Sequence, residues 1–389
     1  MLDRVQRLPR AKDETPVLTG AESGLTTTVL AGPRVLDRLG ADLDTLHEVT
    51  SVPITGRRMW LEAWATCFSN FRPWAVTVRG QEGRLEAAAV LAMRARGPLS
   101  EHVLMGHGPS DQSRVPARTA TSATALADGI AEALCELPSP WTLRAQQLPP
   151  DDLVVQRLVK ALPAARVVPG QGSPTTRFGP DRSLRTYVSK NHHKQVRRMM
   201  NRLARDHRPP ELTALRDPQA IAEVERVCRA RDRQLGRRSK LDDERAGPFF
   251  RRIIADAAGQ DEVELVTLRV GSELAAYVLS FLDRGSYRMW NCRFDPAWEH
   301  YGVGRIANDF ALQRALADDD AIEFDWMKGE EPYKATFATD VLPAIDLLAW
   351  SSRLGRAVLD APRRGKAFAK PHVEMSEIAT RAVTRLRGA

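Results

Sequence analysis

Between residues 25 and 170 the apolar positions switch repeatedly between a period of two and a helical period. "LTTTVLAG" (25–32) predicts a strand, and helical patterns follow in 33–49 and 57–68. The second of these sets Trp60, Trp64 and Phe68 at i, i+4 and i+8, one apolar stripe. Runs 72–80 and 84–95 are strand-like and meet at Gln81-Glu82-Gly83, a hairpin signal. A short strand at 102–106, helices in 119–137 and 151–162, and strands at 140–148 and 165–170 complete this half.

The same order returns further on. A basic helical stretch from Ser183 to about His207 precedes a strand at 211–216, helices in 217–235 and 248–258, and strands at 263–271, 273–285 and 286–294. Residues 299–320 supply a helix, followed by a strand at 321–327, a short helix at 331–337 and a closing strand at 341–350. Two blocks of similar length with one element order argue for a duplicated unit. The Gly-, Pro- and Ser-rich segment 169–183 marks the break. The expected organisation is a mobile leader at 1–24, a domain over 25–178, a second over 183–350, and a basic helical tail over 351–389 with an amphipathic "MSEIATRAVTRLRG".

A chain of 389 residues agrees with two domains of about 150 residues each. The net charge of +8 favours anionic partners such as nucleotides, CoA-like phosphates, nucleic acid or an anionic membrane surface. Cys67, Cys135, Cys228 and Cys292 are widely spaced, which suggests reduced thiols rather than zinc or disulfides. No stretch approaches the roughly 20 apolar residues of a spanning helix, and the charged first residues lack a signal-peptide core. A cytoplasmic protein without a membrane span is the expectation.

The chemistry centres on "EHYGVGRIANDFALQRALADDD" (299–320). Gly302 and Gly304 precede a helix whose free N–H groups and positive dipole end suit a phosphate, and Arg305 adds a cation. A tight turn after a strand is the plainer reading. A Rossmann fingerprint is excluded by the missing third glycine, and a P-loop by the missing Gly-Lys-Ser/Thr. Val196, Met199, Met200 and Leu203 form a core-facing stripe, so Lys190, Lys194, Arg197 and Arg198 fall on the other faces of the basic helix. These cations either solvate the helix or meet an anionic acceptor, carrier or tRNA. His192 and His193 have no ligand-spaced companions, so no metal is expected. Cys292 has no histidine close in sequence and reads as a buried strand cysteine.

Three stretches, 183–203, 273–315 and 322–338, resemble the acyl-CoA N-acyltransferase (GNAT) superfamily. More narrowly they resemble its BioF2-like branch, which includes CelD-type acetyltransferases and is related to the tandem-domain FemAB aminoacyltransferases. The resemblance rests on an FDP…G…L pattern followed by FD…G…YK. It implies an α/β fold of the α+β type, with tandem GNAT-like domains, each a twisted, mixed, largely antiparallel sheet flanked by helices. It also implies a degenerate N-terminal copy, acetyl-CoA or another acyl-CoA as co-substrate, and transfer to an amine of a small molecule or glycan precursor by direct attack. Gly302, Val303, Gly304, Arg305 and Ile306 would receive the pyrophosphate, and the strand around Trp290, Asn291 and Cys292 would steady the oxyanion. Asp325 would serve catalysis or cap a turn. Tyr333 would return a proton to the thiolate, and Lys334 would neutralise charge; otherwise they are a core aromatic and a surface lysine. Lys190, Lys194, Arg197 and Arg198 would hold the acceptor. Glu299 departs from the family's Arg or Gln, so it must point away or the donor site differs. FemAB-like transfer from aminoacyl-tRNA and a silent binding module are the alternatives.

Overall fold

Sheet pairing in the computed structural model, which describes residues 15–20 and 24–356 except 139, 330 and 354, crosses between the two halves of the chain. The first half contains β1 (Thr15–Gly20), β2 (Leu25–Ala31), α1 (Val35–Val49), α2 (Arg58–Cys67), β3 (Arg72–Arg79), β4 (Leu85–Arg96) and β5 (Leu99–Leu104). It continues through α3 (Ala120–Cys135), β6 (Trp141–Leu148), α4 (Leu153–Ala161), β7 (Ala164–Pro169) and β8 (Ser173–Arg177). The second half contains α5 (Leu184–Tyr187), α6 (Lys190–Asp206), β9 (Glu211–Leu215), α7 (Ile221–Gln234), α8 (Ala246–Ala258), β10 (Val263–Val270), β11 (Glu273–Asp283) and β12 (Ser286–Phe294). It closes with α9 (Val303–Leu316), β13 (Glu323–Asp325), β14 (Asp340–Leu342) and β15 (Ile345–Trp350).

One sheet runs β1-β2-β3-β4-β5-β6-β15-β7 and the other β14-β8-β13-β12-β11-β10-β9. Leaving β1 aside, the two orders are the same, and in each the strand next to the last comes from the opposite half. β15 lies antiparallel between β6 and β7. β8 lies antiparallel between β13 and β14. This departs from the expected boundary at two points. The segment read as a break holds β8, whose Thr175 and Thr176 are fully buried; its Gly and Pro neighbours masked a β-branched strand core. The closing strand of the second half completes the first sheet, because pairing is chosen by an open strand edge and not by sequence proximity. The stretch expected to be a mobile leader supplies β1, paired with β2, and 331–337 holds only a 3-10 turn at Lys334–Thr336. The amphipathic tail pattern lies outside the described residues.

The apolar stripe of α2 explains why the halves pack as one. Trp60 meets Phe249, Phe281 and Trp290 of the second half edge-on, with ring centroids 5.1, 5.7 and 5.4 Å away. Leu39, Leu43, Trp60 and Trp64 share one core with Phe249, Ile253, Tyr277 and Phe281. The far face of each sheet has its own core: α3 and α4 cover the first, α6 and α9 the second.

Two histidines are buried on the first half, His47 and His102. Burial holds each at about 4, whereas an unfolded imidazole titrates near 6.5. Between those values the unfolded chain takes up protons that the fold refuses, so stability falls as pH drops through this window, by up to roughly 3 kcal/mol per histidine. Denaturant midpoints measured across the window should fall with pH, and a His47→Leu/His102→Leu variant should lose much of that slope. An unchanged slope contradicts the assignment.

Candidate active site

The strand order places β12 parallel to β13, and the pair separates early. Their register is Ser286↔Glu323, Tyr287↔Phe324 and Arg288↔Asp325, where β13 ends while β12 continues to Phe294. Along β11 the register jumps so that Ser280 faces Met289 and Leu279 faces Asn291, leaving Trp290 as an extra residue. Such a bulge bends and re-aims its strand. After β13 the chain turns through Met327 (φ 57°) and Gly329 (φ 120°). It returns so that the Tyr333 hydroxyl lies 3.4 Å from Cys292 Sγ. Burial pushes the Tyr333 phenol well above its ordinary value, so it stays protonated. Lys334 is buried, and its Nζ donates to the carbonyls of Met327 (3.1 Å) and Lys328 (2.8 Å) with Glu331 at 3.0 Å. The lysine thereby ties the loop to itself; the structure engages its ammonium in holding Tyr333 in place.

Asp325 is fully enclosed at the seam between the halves. Its Oδ2 accepts from Gln112 Nε2 (2.5 Å) and Arg288 (3.1 Å), and its Oδ1 from the Met327 amide (2.8 Å). Burial raises its pKa, and the Arg288 guanidinium opposes that. Arg288 also donates to Gln112 and, at 2.8 Å, to Asp283. Asp283 in turn accepts from Arg57 and from the Ile54 amide (3.0 Å). Lys328 bridges to Asp111 at 2.8 Å and donates to the Ser110 carbonyl at 3.2 Å. Segment 110–112 of the first half thus grips both ends of the stretch between Asp325 and Lys328. Sequence reading passed over Arg57, Gln112, Asp283 and Arg288; charged residues inside the apolar runs of β11 and β12 were the available signal.

The glycine turn packs against protein. Gly302 is left-handed (φ 71°), and a Cβ there would meet Met199 Sδ of α6 at 2.6 Å. A Cβ on Gly304 would meet the Phe294 ring at 2.9 Å. The Gly302 amide donates to the Glu299 carbonyl, and those of Arg305 and Ile306 to the Gly302 carbonyl; Val303 is fully buried, so Gly304, half-buried, is the one residue of the turn left to offer its amide to an anion. The Arg305 guanidinium holds Gln195 at 2.6 Å. Glu299 points away, towards α7: Gln234 donates to it at 2.7 Å and Arg231 lies at 3.2 Å. Lys190, Lys194, Arg197 and Arg198 are exposed on α6, while Leu203 is buried and Val196, Met199 and Met200 pack on the core beneath. His192 is enclosed and bonded to Asp309 at 2.8 Å. Among the described residues no group of three or more metal-ligating side chains occurs, and no helix is long and apolar enough to cross a membrane.

Residues 190–335 match the model of the "Acetyltransferase (GNAT) domain" family. No curated protein matches the chain. Among solved structures, the chain is similar to FemX, with 10% identity, coverage of 82% of this chain and 98% of that one, and a TM-score of 0.59. It is also similar to L-PGS from Bacillus licheniformis (12% identity, 90% and 97% coverage, TM-score 0.50) and to a conserved protein of unknown function from Bacteroides thetaiotaomicron (14%, 80% and 96%, 0.50). These likenesses are likenesses of fold. The family match places the similarity to a GNAT-type acetyltransferase domain in residues 190–335.

Arg288→Met would leave Asp283 and Asp325 enclosed with a cation removed from between them. Removing one partner of a buried pair costs roughly 3–5 kcal/mol, so chemical denaturation should show a loss of that order; a change below about 1 kcal/mol contradicts the network's role.

Proposed function

We propose that this GNAT-type protein is an N-acyltransferase that moves an acyl group from a CoA thioester to an amine of a small molecule or glycan precursor. The observation that carries the reading is the early parting of β12 from β13 with the Tyr333 phenol set beside the freed stretch of β12. A thioester lying in that gap meets main-chain groups of Trp290 to Cys292 on one side and a protonated phenol on the other.

The amine, in its neutral form, attacks the thioester carbonyl carbon and a C–N bond forms. Main-chain N–H groups of β12 steady the oxyanion. As the C–S bond breaks, the Tyr333 hydroxyl donates a hydrogen bond to the departing thiolate and relays to it the proton that the new amide nitrogen sheds, ending protonated itself. No covalent enzyme intermediate is required, and Cys292 serves as neighbour to Tyr333. Asp325 holds the loop through Arg288, Gln112 and the Met327 amide and acts by positioning. The donor's phosphates would lie beside the half-buried Gly304 and the basic face of α6. The first half would carry no donor of its own. Its segment after β5, with Gly106 and Gly108, is taken up in bonds to the second half through Pro109, Ser110 and Gln112.

A second reading, an aminoacyl-tRNA donor, is favoured by one observation. The exposed cations of α6 extend beyond what one pyrophosphate needs, on a helix packed against α9.

The purified chain should release CoA from acetyl-CoA in the presence of an amine panel, with acetylated product seen by mass spectrometry. Tyr333→Phe should lower kcat by roughly 100-fold and leave the KM for acetyl-CoA near that of the parent. An unchanged kcat would remove Tyr333 from the chemistry. Absence of CoA release together with tRNA binding that weakens steeply with salt would favour the second reading.

A further inference from the structure

Among the described residues one arginine near the parting strands forms no ion pair. Arg293 follows Cys292 on β12 and faces Tyr277 across the ladder. Its guanidinium donates to the Cys292 carbonyl at 2.7 Å, while its Nε is enclosed without any partner. Asp232 of α7 stands in its surroundings, yet that carboxylate is committed to Arg237 at 2.7 Å. Among the described residues Arg293 forms no ion pair. The contrast with Arg57 and Arg288 is direct, because each of those holds two carboxylates. The surroundings of Arg293 favour its charged form despite burial, and with Nη1 on the Cys292 carbonyl and Nε enclosed, Nη2 of this half-buried residue is left to meet an anion.

Strand alternation says which substrate brings it. Tyr277, across from Arg293, belongs to the core under α7 and α8, whereas Cys292 and Phe294 pack towards α9. The α9 turn, where donor phosphates are placed above, is therefore on the opposite face of the sheet from Arg293. Asn291 shares the Arg293 face and accepts from Tyr277 at 2.6 Å.

We propose that Arg293 receives the carboxylate of the acceptor, so that the amine to be acylated belongs to an amino acid or another amino-carboxylate entering from the α7 side. This inference rests on the transfer reading above. It restricts the acceptor to molecules whose amine and carboxylate are far enough apart to reach from Arg293 on one face of the sheet to the Tyr333 side of the gap on the other.

Isothermal titration of the whole chain with glycine, L-alanine and L-lysine, each against its amide, tests the site without any donor. The free acids are expected to bind at least about tenfold more tightly than the amides. Arg293→Gln should abolish that preference and Arg293→Lys should keep part of it, with circular dichroism confirming that both variants fold. Equal binding of acids and amides, no binding of either, or an undiminished preference in folded Arg293→Gln overturns the proposal. If acid-selective binding is intact but acetyl-CoA yields no acylated product, the transfer reading fails and the carboxylate site stands.

Discussion

The exchange of β8 and β15 is the constraint on which the rest of the molecule depends. Without β15, β6 and β7 would each present an unpaired edge inside the first sheet; without β8, β13 and β14 would do the same in the second. Unmade backbone hydrogen bonds in such places are costly, so neither half has a complete sheet alone. The shared aromatic core around Trp60 adds apolar burial to the same joint. The two sheets are thereby held in one relation, and side chains can bridge them with fixed geometry.

That fixed relation is what positions the loop between Asp325 and Tyr333. Gln112 and Asp111 reach from the first half to Asp325 and Lys328, and Lys334 fastens the intervening loop to its own carbonyls. The loop's far end carries Tyr333 to Cys292. The first half therefore braces this loop through the segment after β5. Leaving β1 aside, the two sheets share one strand order, and side chains from the first half brace the loop of the second.

Much of the fold was legible because it is local. The Trp60–Trp64–Phe68 stripe, the hairpin at Gly83 and the core face of α6 follow from periodicity, and each element lies where the spacing predicts. The exchanged strands were not legible. A short stretch such as "SPTTR" between glycines and prolines carries no mark of which edge it will fill, and β15 reads the same whichever sheet it joins. The glycine pair illustrates the limit at the site: a missing Cβ admits a phosphate or a neighbouring side chain equally well, and Met199 and Phe294 occupy that space here. Glu299 could be placed only once α7 supplied Gln234 and Arg231. The unpaired state of Arg293 is likewise a three-dimensional fact, invisible in a chain with many arginines.

The central claim is that the freed part of β12 and the loop ending at Tyr333 hold a CoA thioester. Hydrogen exchange followed by mass spectrometry, with and without acetyl-CoA, tests it most directly. Slowed exchange in peptides covering 289–294 and Tyr333, with little change in 105–119, is the expected result. Protection confined to 105–119, or no protection anywhere in the second half, would contradict the account.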